Sequence, residues 1–272
     1  MELILAAGRT DKHYWRDVWR YRELFFILAW RDLAVRYKQT VIGVAWALIR
    51  PLMTMVVFTV VFGKLAKLSA PSDVPYALLV FAATLPWQLF STGLTEASNS
   101  LVGNANLVSK IYFPRLIVPA ASFITSFADF LIAFVILLGL MVWYQFWPDW
   151  RILTLPLFIL LVFGATIGMG LWLCALNVKY RDFRYVVPFV VQVGLFISPV
   201  GFSSTIVPEQ WRLIYSLNPL VGVIEGFRWA LLRGSTPLDV PALLLSVLTV
   251  ALVLASGLWY FRRTEKSFVD VI

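Results

Sequence analysis

The feature that most limits what this chain can fold into is the grouping of its apolar residues. Residues 41–63, 76–98, 116–144, 152–178 and 241–261 each form an apolar stretch. Each is as long as the roughly 20 residues a helix needs to cross the hydrocarbon core of a bilayer. These stretches hold only three charges: Arg50 in the first, Glu96 near the end of the second and Asp129 in the third. A sixth stretch, 186–206, is apolar but contains Pro188, Gly194, Pro199 and Gly201. It is expected to bend or break around Ser198-Pro199-Val200-Gly201, because backbone groups freed by proline must be met by protein or a wet cavity, not by lipid. The composition agrees. Hydrophobic residues make up 60% of the chain and charged residues 14%, against about 25% charged in a soluble domain. The reading is an all-α integral membrane protein with six transmembrane helices.

Lysine and arginine set the orientation. The first 40 residues hold eight, and that end, the loops after spans two and four and the C-terminal tail together hold 16. The opposite loops hold six: Lys64, Lys67, Arg151, Arg212, Arg228 and Arg233. The basic side is therefore expected to be cytoplasmic, with both termini there, in a cell (inner) membrane. The net charge of +8 then reports topology, and no nucleic-acid partner is expected. No cleavable signal peptide is expected, because the early apolar run 24–30 is short and ends at Arg31 and Asp32. Cys174 is the one cysteine and His13 the one histidine, so neither an intrachain disulfide nor a Cys/His metal site is expected.

Three connecting regions carry more pattern than a plain loop. Residues 14–40 predict an amphipathic interface helix, with Ile27, Trp30, Ala34 and Tyr37 at helical spacing and Asp32 four residues before Arg36, which predicts a local pair. It reads either as an anchor in the headgroups or as a contact for a partner subunit. Residues 103–113 predict a short amphipathic helix closed by Pro114, again either interfacial or a docking element. In residues 208–233, two helical pieces, 209–216 and 219–233, are separated at Asn218-Pro219. The second is too apolar for a free loop and too short to span. Two re-entrant half-helices between spans five and six are the sharper reading, and a helix flat on the outer surface is the plainer one. Glu225 and Arg228 sit at i,i+3, where they can neutralise each other.

Aromatic residues are 16% of the chain. Those between Trp143 and Trp150 suit an interfacial belt. Trp46, Phe58, Phe62, Trp87, Phe90, Phe196 and Phe202 lie deeper or near proline bends and are candidates to line a path, since aromatic faces stack on the apolar faces of sugars. No P-loop and no G-x-S-x-G motif is present, so catalysis within this chain is not expected. Glu96 and Asp129 are intramembrane acids and so functional candidates, but they are too few for a proton relay.

Five blocks in order resemble membrane subunits of ABC exporters for bacterial polysaccharide, of the O-antigen and teichoic-acid type. They are RYKQTVIGVAWALIRP at 36–51, LVSKIYFPR at 107–115, NVKYRD at 177–182, PFVVQVGLFISPV at 188–200 and LNPLVGVIEGFR at 217–228. Capsule exporters differ more in these blocks. The resemblance implies an N-terminal region 1–40, a six-span domain 41–266 and a tail 267–272. It implies a homodimer enclosing a channel, and two copies of a separate ATPase that binds ATP and Mg, with no cofactor in this chain. The ATPase would dock on Trp30 and Arg31 and on the coupling loop 103–113, through Asn104, Asn106, Leu107, Lys110, Tyr112 and Phe113. The outer half-helices would form a gate at Asn218, Pro219, Glu225 and Arg228. The substrate would be a glycan on undecaprenyl pyrophosphate, attracted to an entrance at Arg36, Lys38 and Arg50. A secondary transporter would be expected to show coupling-ion residues and internal repeats, which this sequence does not. A drug-type ABC permease fits the five blocks poorly. A membrane glycosyltransferase needs larger loops.

Overall fold

The computed structural model describes residues 14–38, 41–68, 74–180 and 182–268; His13, Arg181 and the tail from 269 onward lie outside the described residues. Among the described residues all regular structure is helical. The helices are α1 (Tyr14–Arg20), α2 (Arg22–Lys38), α3 (Val41–Phe58), α4 (Tyr76–Gly103), α5 (Ala105–Lys110), α6 (Ile117–Trp143), α7 (Leu155–Lys179), α8 (Phe183–Ile197), α9 (Glu209–Tyr215), α10 (Pro219–Leu231) and α11 (Val240–Thr264). Five segments are long and apolar enough to cross a membrane: Ala45–Leu65, Tyr76–Gly103, Ile117–Trp143, Trp150–Lys179 and Val240–Ser267. They correspond to five of the six expected spans. The first includes a π-helical segment, Thr59–Leu65, that continues α3 without a break.

The sixth expected span, 186–206, is not a full-length helix. α8 has 15 residues, which at 1.5 Å per residue is about 22 Å, short of the roughly 30 Å hydrocarbon core. It stops where the sequence dictates. Ser198 precedes Pro199 and is extended, at φ −79° and ψ 151°, as a residue before proline prefers. The chain then runs through a short 3₁₀ turn, Ser204–Ile206, into α9.

α4 is the centre of the molecule. Of its most apolar stretch 89% is buried, against 11% for the first span and 17% for the last. It packs against α6, α7 and α10, while α11 packs against α7 and α10. Between apolar helices in lipid the driving force is close packing rather than expulsion of water. α7 and α11 achieve it with glycines: a Cβ on Gly257 would lie 2.2 Å from the Gly168 carbonyl oxygen, and one on Gly168 would lie 2.7 Å from the Leu254 backbone.

α1 and α2 explain why their sequence pattern is not clean. One face carries Val18, Tyr21, Phe25, Leu28 and Ala29 against the core, and α2 packs along α6. Another face presents Trp15, Trp19, Phe26 and Trp30 outward. Both faces are apolar, one for protein and one open. Tyr14 closes the start of this unit: its hydroxyl donates to Glu265 Oε2 at 3.1 Å, and Arg262 stacks 4.4 Å over its ring. Burial raises the Tyr14 phenol well above its ordinary pKa, so it stays a donor.

Candidate functional site

A cavity of about 680 Å³ lies among α3, α4 and α6, with Leu195 of α8 at its edge and Arg36 of α2 at one end. Trp46, Arg50, Trp87, Gln88, Ser126 and Asp129 are among its lining residues. The volume falls in the range of small-molecule sites, roughly 300–1,000 Å³. Gly194 of α8 makes room for the Trp87 ring, since a Cβ there would lie 2.8 Å from it. Ser91 and Thr92 turn their hydroxyls back to the Gln88 carbonyl, so they serve their own helix. Among the described residues the buried Ser126 hydroxyl has no hydrogen-bond partner. The Arg50 guanidinium lines the same cavity, and among the described residues it has no ion-pair partner. Lys38, also expected at the entrance, is exposed and is not among the residues lining the cavity.

The expected channel aromatics divide into groups. Trp46 and Trp87 line the cavity. Phe90 packs against Trp87 with ring centroids 5.8 Å apart. Phe58, Phe62 and Phe202 form a chain of edge contacts, at 5.3 Å and 6.5 Å, between the end of α3 and the broken segment after α8. Phe196 is exposed and does not join either group.

The two intramembrane acids share one cation. Arg36 NH1 is 3.1 Å from Glu96 Oε1, and its NH2 is 2.5 Å from Asp129 Oδ2. The Tyr37 hydroxyl donates to the other Asp129 oxygen. The local Asp32–Arg36 pair expected from spacing is not made: Asp32 bonds Arg31 at 2.7 Å instead. A guanidinium matches carboxylates with a fork of donors, so two acids about two and three helical turns inside their spans outcompete one neighbour. Burial, reinforced by the Asp129 carboxylate, pushes the Tyr37 phenol well above its ordinary pKa. Tyr37 is a site residue the sequence reading treated only as part of an apolar stripe.

The expected docking elements lie together. Arg31 NH2 donates to Asn104 Oδ1 at 2.8 Å, joining α2 to the turn between α4 and α5. Trp30, Asn106, Lys110 and Tyr112 are exposed, and Leu107 is half-buried. Phe113 is different: it is 3% exposed and belongs to the core, so its ring is turned away from any partner.

At the opposite end, the residues expected as an outer gate form a buried clamp. Arg228 is fully buried and donates to three carbonyls: Leu79 at 3.2 Å, Phe202 at 2.8 Å and Val200 at 3.0 Å. It also meets Glu225 Oε1 at 3.4 Å, and that oxygen accepts from the Ser204 backbone N–H at 2.9 Å. Asn218 caps α10 by accepting from Leu220 N–H, with Pro219 in the first turn, and donates to Ser198 Oγ at 3.0 Å. Tyr76 donates to the Gly201 carbonyl at 2.6 Å. Side chains thus supply the partners that the non-helical backbone loses where it leaves α8. α10 is buried among α4, α7 and α11 and does not lie flat on an outer surface.

Residues 23–232, which include both arginine clusters and the cavity, match the family model described as ABC-2 type transporter. The chain is 27% identical over 253 residues to the O-antigen export system permease protein RfbA of Myxococcus xanthus, covering 92% of this chain and 96% of that one. A protein of the same name from Klebsiella pneumoniae is 24% identical over 254 residues, covering 92% and 95%. The polysialic acid transport protein KpsM of Escherichia coli is 25% identical over 244 residues, covering 88% and 92%.

Proposed function

The chain belongs to the ABC-2 type transporter family, and from that premise we propose that it is the membrane subunit of an ATP-driven exporter of bacterial polysaccharide. The substrate is a glycan on undecaprenyl pyrophosphate, of the O-antigen kind, moved across the inner membrane. Both termini face the cytoplasm. ATP and Mg are bound by a separate ATPase that docks on α2 and α5.

The observation that carries this reading is the cavity. Trp46, Trp87 and Arg50 line it together, and among the described residues no carboxylate is within ion-pair distance of Arg50. Indole faces suit the apolar faces of many sugars without selecting one, and a guanidinium suits a phosphate oxygen. Arg36 is committed to two carboxylates, so Arg50 is the stronger candidate for the pyrophosphate. The open side of the cavity supports a second copy. Ile49, Met53, Val56 and Val57 of α3 and Phe189, Val193 and Phe196 of α8 are exposed, and pairing across them encloses the cavity as a path. The Arg228 clamp and the half-helices α9 and α10 then form its outer end.

The test is reconstitution with the ATPase in vesicles, measuring ATP-dependent delivery of the lipid-linked glycan to the far side. Arg50→Gln is expected to raise the substrate concentration needed for half-maximal delivery about tenfold, the loss of one charge-assisted contact of about 1.4 kcal/mol. Delivery that needs no ATP, or none at all from the native complex, contradicts the proposal. Similarity to KpsM favours a capsule-type polymer as the second reading, distinguished by offering that polymer in the same assay.

A further inference from the structure

Arg36 stands where three helices meet. It belongs to α2, its NH1 bonds Glu96 of α4, and its NH2 bonds Asp129 of α6. Tyr37, the next residue, holds the second Asp129 oxygen. Five residues earlier, Arg31 bonds Asn104 just past the end of α4. Helical rise gives the depth of these contacts. Glu96 lies seven residues, about 10 Å, inside the end of α4, and Asp129 lies 12 residues, about 18 Å, from the start of α6. α2 therefore does not only skirt the spans. Its C-terminal end is bonded well inside them.

The cost of charge at that depth explains why the cluster is shared. An unpaired acid inside a span is expensive, and such acids pair or face water. Here one guanidinium serves two carboxylates, and the cavity borders both Arg36 and Asp129. The side chains are 29%, 44% and 17% exposed for Arg36, Glu96 and Asp129. Coupling between distant sites is carried by such networks joining rigid elements. Among the described residues the cation of α3, Arg50, lines the cavity without an ion pair.

We infer that Arg36 and Tyr37, held by Asp129 and Glu96, form the joint that fixes α2 to α4 and α6, and that Asp129 is the positioning residue through which movement of α2 reaches those two spans. This rests on the exporter reading above, because the movement is the one an ATPase imposes on α2. A push on the exposed Trp30 side of α2 is passed to α4 and α6 as one body. α3 and α8, which border the cavity, move relative to it. If Asp129 only neutralised a stray charge, the number of glycans delivered per ATP would not depend on the geometry of the bond.

The experiment uses the intact complex with its ATPase in vesicles, with ATP turnover and glycan delivery measured on the same preparation. Asp129→Asn is expected to lower delivery per ATP about tenfold, the effect of one lost charge-assisted bond. Asp129→Glu is expected to restore most of the ratio. Tyr37→Phe, which removes a single hydroxyl, is expected to lower it about threefold. An unchanged ratio in both Asp129→Asn and Tyr37→Phe overturns the inference. Should Asp129→Asn fail to assemble, Tyr37→Phe decides: a lowered ratio supports the joint and an unchanged one removes it. A native complex without ATP-dependent delivery is a separate result, and it removes the exporter reading instead.

Discussion

Arg36 and Arg228 use the same side chain for opposite purposes. Arg228 is fully buried at the end away from Arg36, and its donors go chiefly to backbone carbonyls of Leu79, Val200 and Phe202. Arg36 is partly exposed at the basic end, and it bonds side-chain carboxylates on two other helices. A guanidinium that satisfies broken backbone cannot let go without leaving several polar groups unmet in an apolar layer. One that joins side chains beside a cavity has water within reach. The difference separates a fixed clamp from a working joint, although both read in the sequence as an arginine near an acid.

Stability measurements in detergent can break this comparison. The largest loss is expected for Arg228→Gln. It leaves Glu225 and three carbonyls without their donor, and breaking a buried pair in this way costs about 3–5 kcal/mol. A thermal or denaturant melt within 1 kcal/mol of the native protein, by the scale of ordinary surface pairs, would put Arg228 outside the clamp. Asn218→Ala is expected to cost less, about 1–2 kcal/mol, because it removes one helix cap and one bond to Ser198. The smallest loss is expected for Glu96→Gln. Its carboxyl is 44% exposed and Asp129 still holds Arg36, so the melt should move by about 1 kcal/mol or less. A reversed order, with Glu96→Gln worse than Arg228→Gln, would make the basic end the rigid one.

How much of this was legible in the sequence depends on the distance over which each feature is decided. The five long spans were legible because length and apolarity are local properties. So were the break at Pro199 and the two helices either side of Asn218-Pro219, since proline chemistry acts on its neighbours. The length of the sixth apolar stretch was less so, because Phe202 and Ile206 are interleaved with Ser203, Ser204 and Thr205, and the path of this segment is fixed partly by the distant Glu225 and Arg228 that bond its backbone. The partner of Arg36 was misread for a related reason. Spacing proposes Asp32, whereas Glu96 and Asp129 are 60 and 93 residues away in the chain, and only tertiary packing brings them in. Phe113 shows the same limit: Ile111 and Tyr112 just before it are exposed, while its own ring turns into the core.

The joint can be watched directly. Val35 of α2, Leu131 of α6 and Met53 of α3 are all exposed on the single chain; Met53 lines the cavity on the face proposed for the second copy, so its labelled variant is first shown to keep ATP-dependent delivery. In the complex with its ATPase, distances are measured before and after ATP binds. The Val35–Leu131 distance is predicted to hold within about 2 Å, while Val35–Met53 changes by about 5 Å, the scale of one helical turn. A Val35–Leu131 distance that changes by about 5 Å while Val35–Met53 stays fixed would contradict the account, because α2 would then be tied to α3 and not to α6.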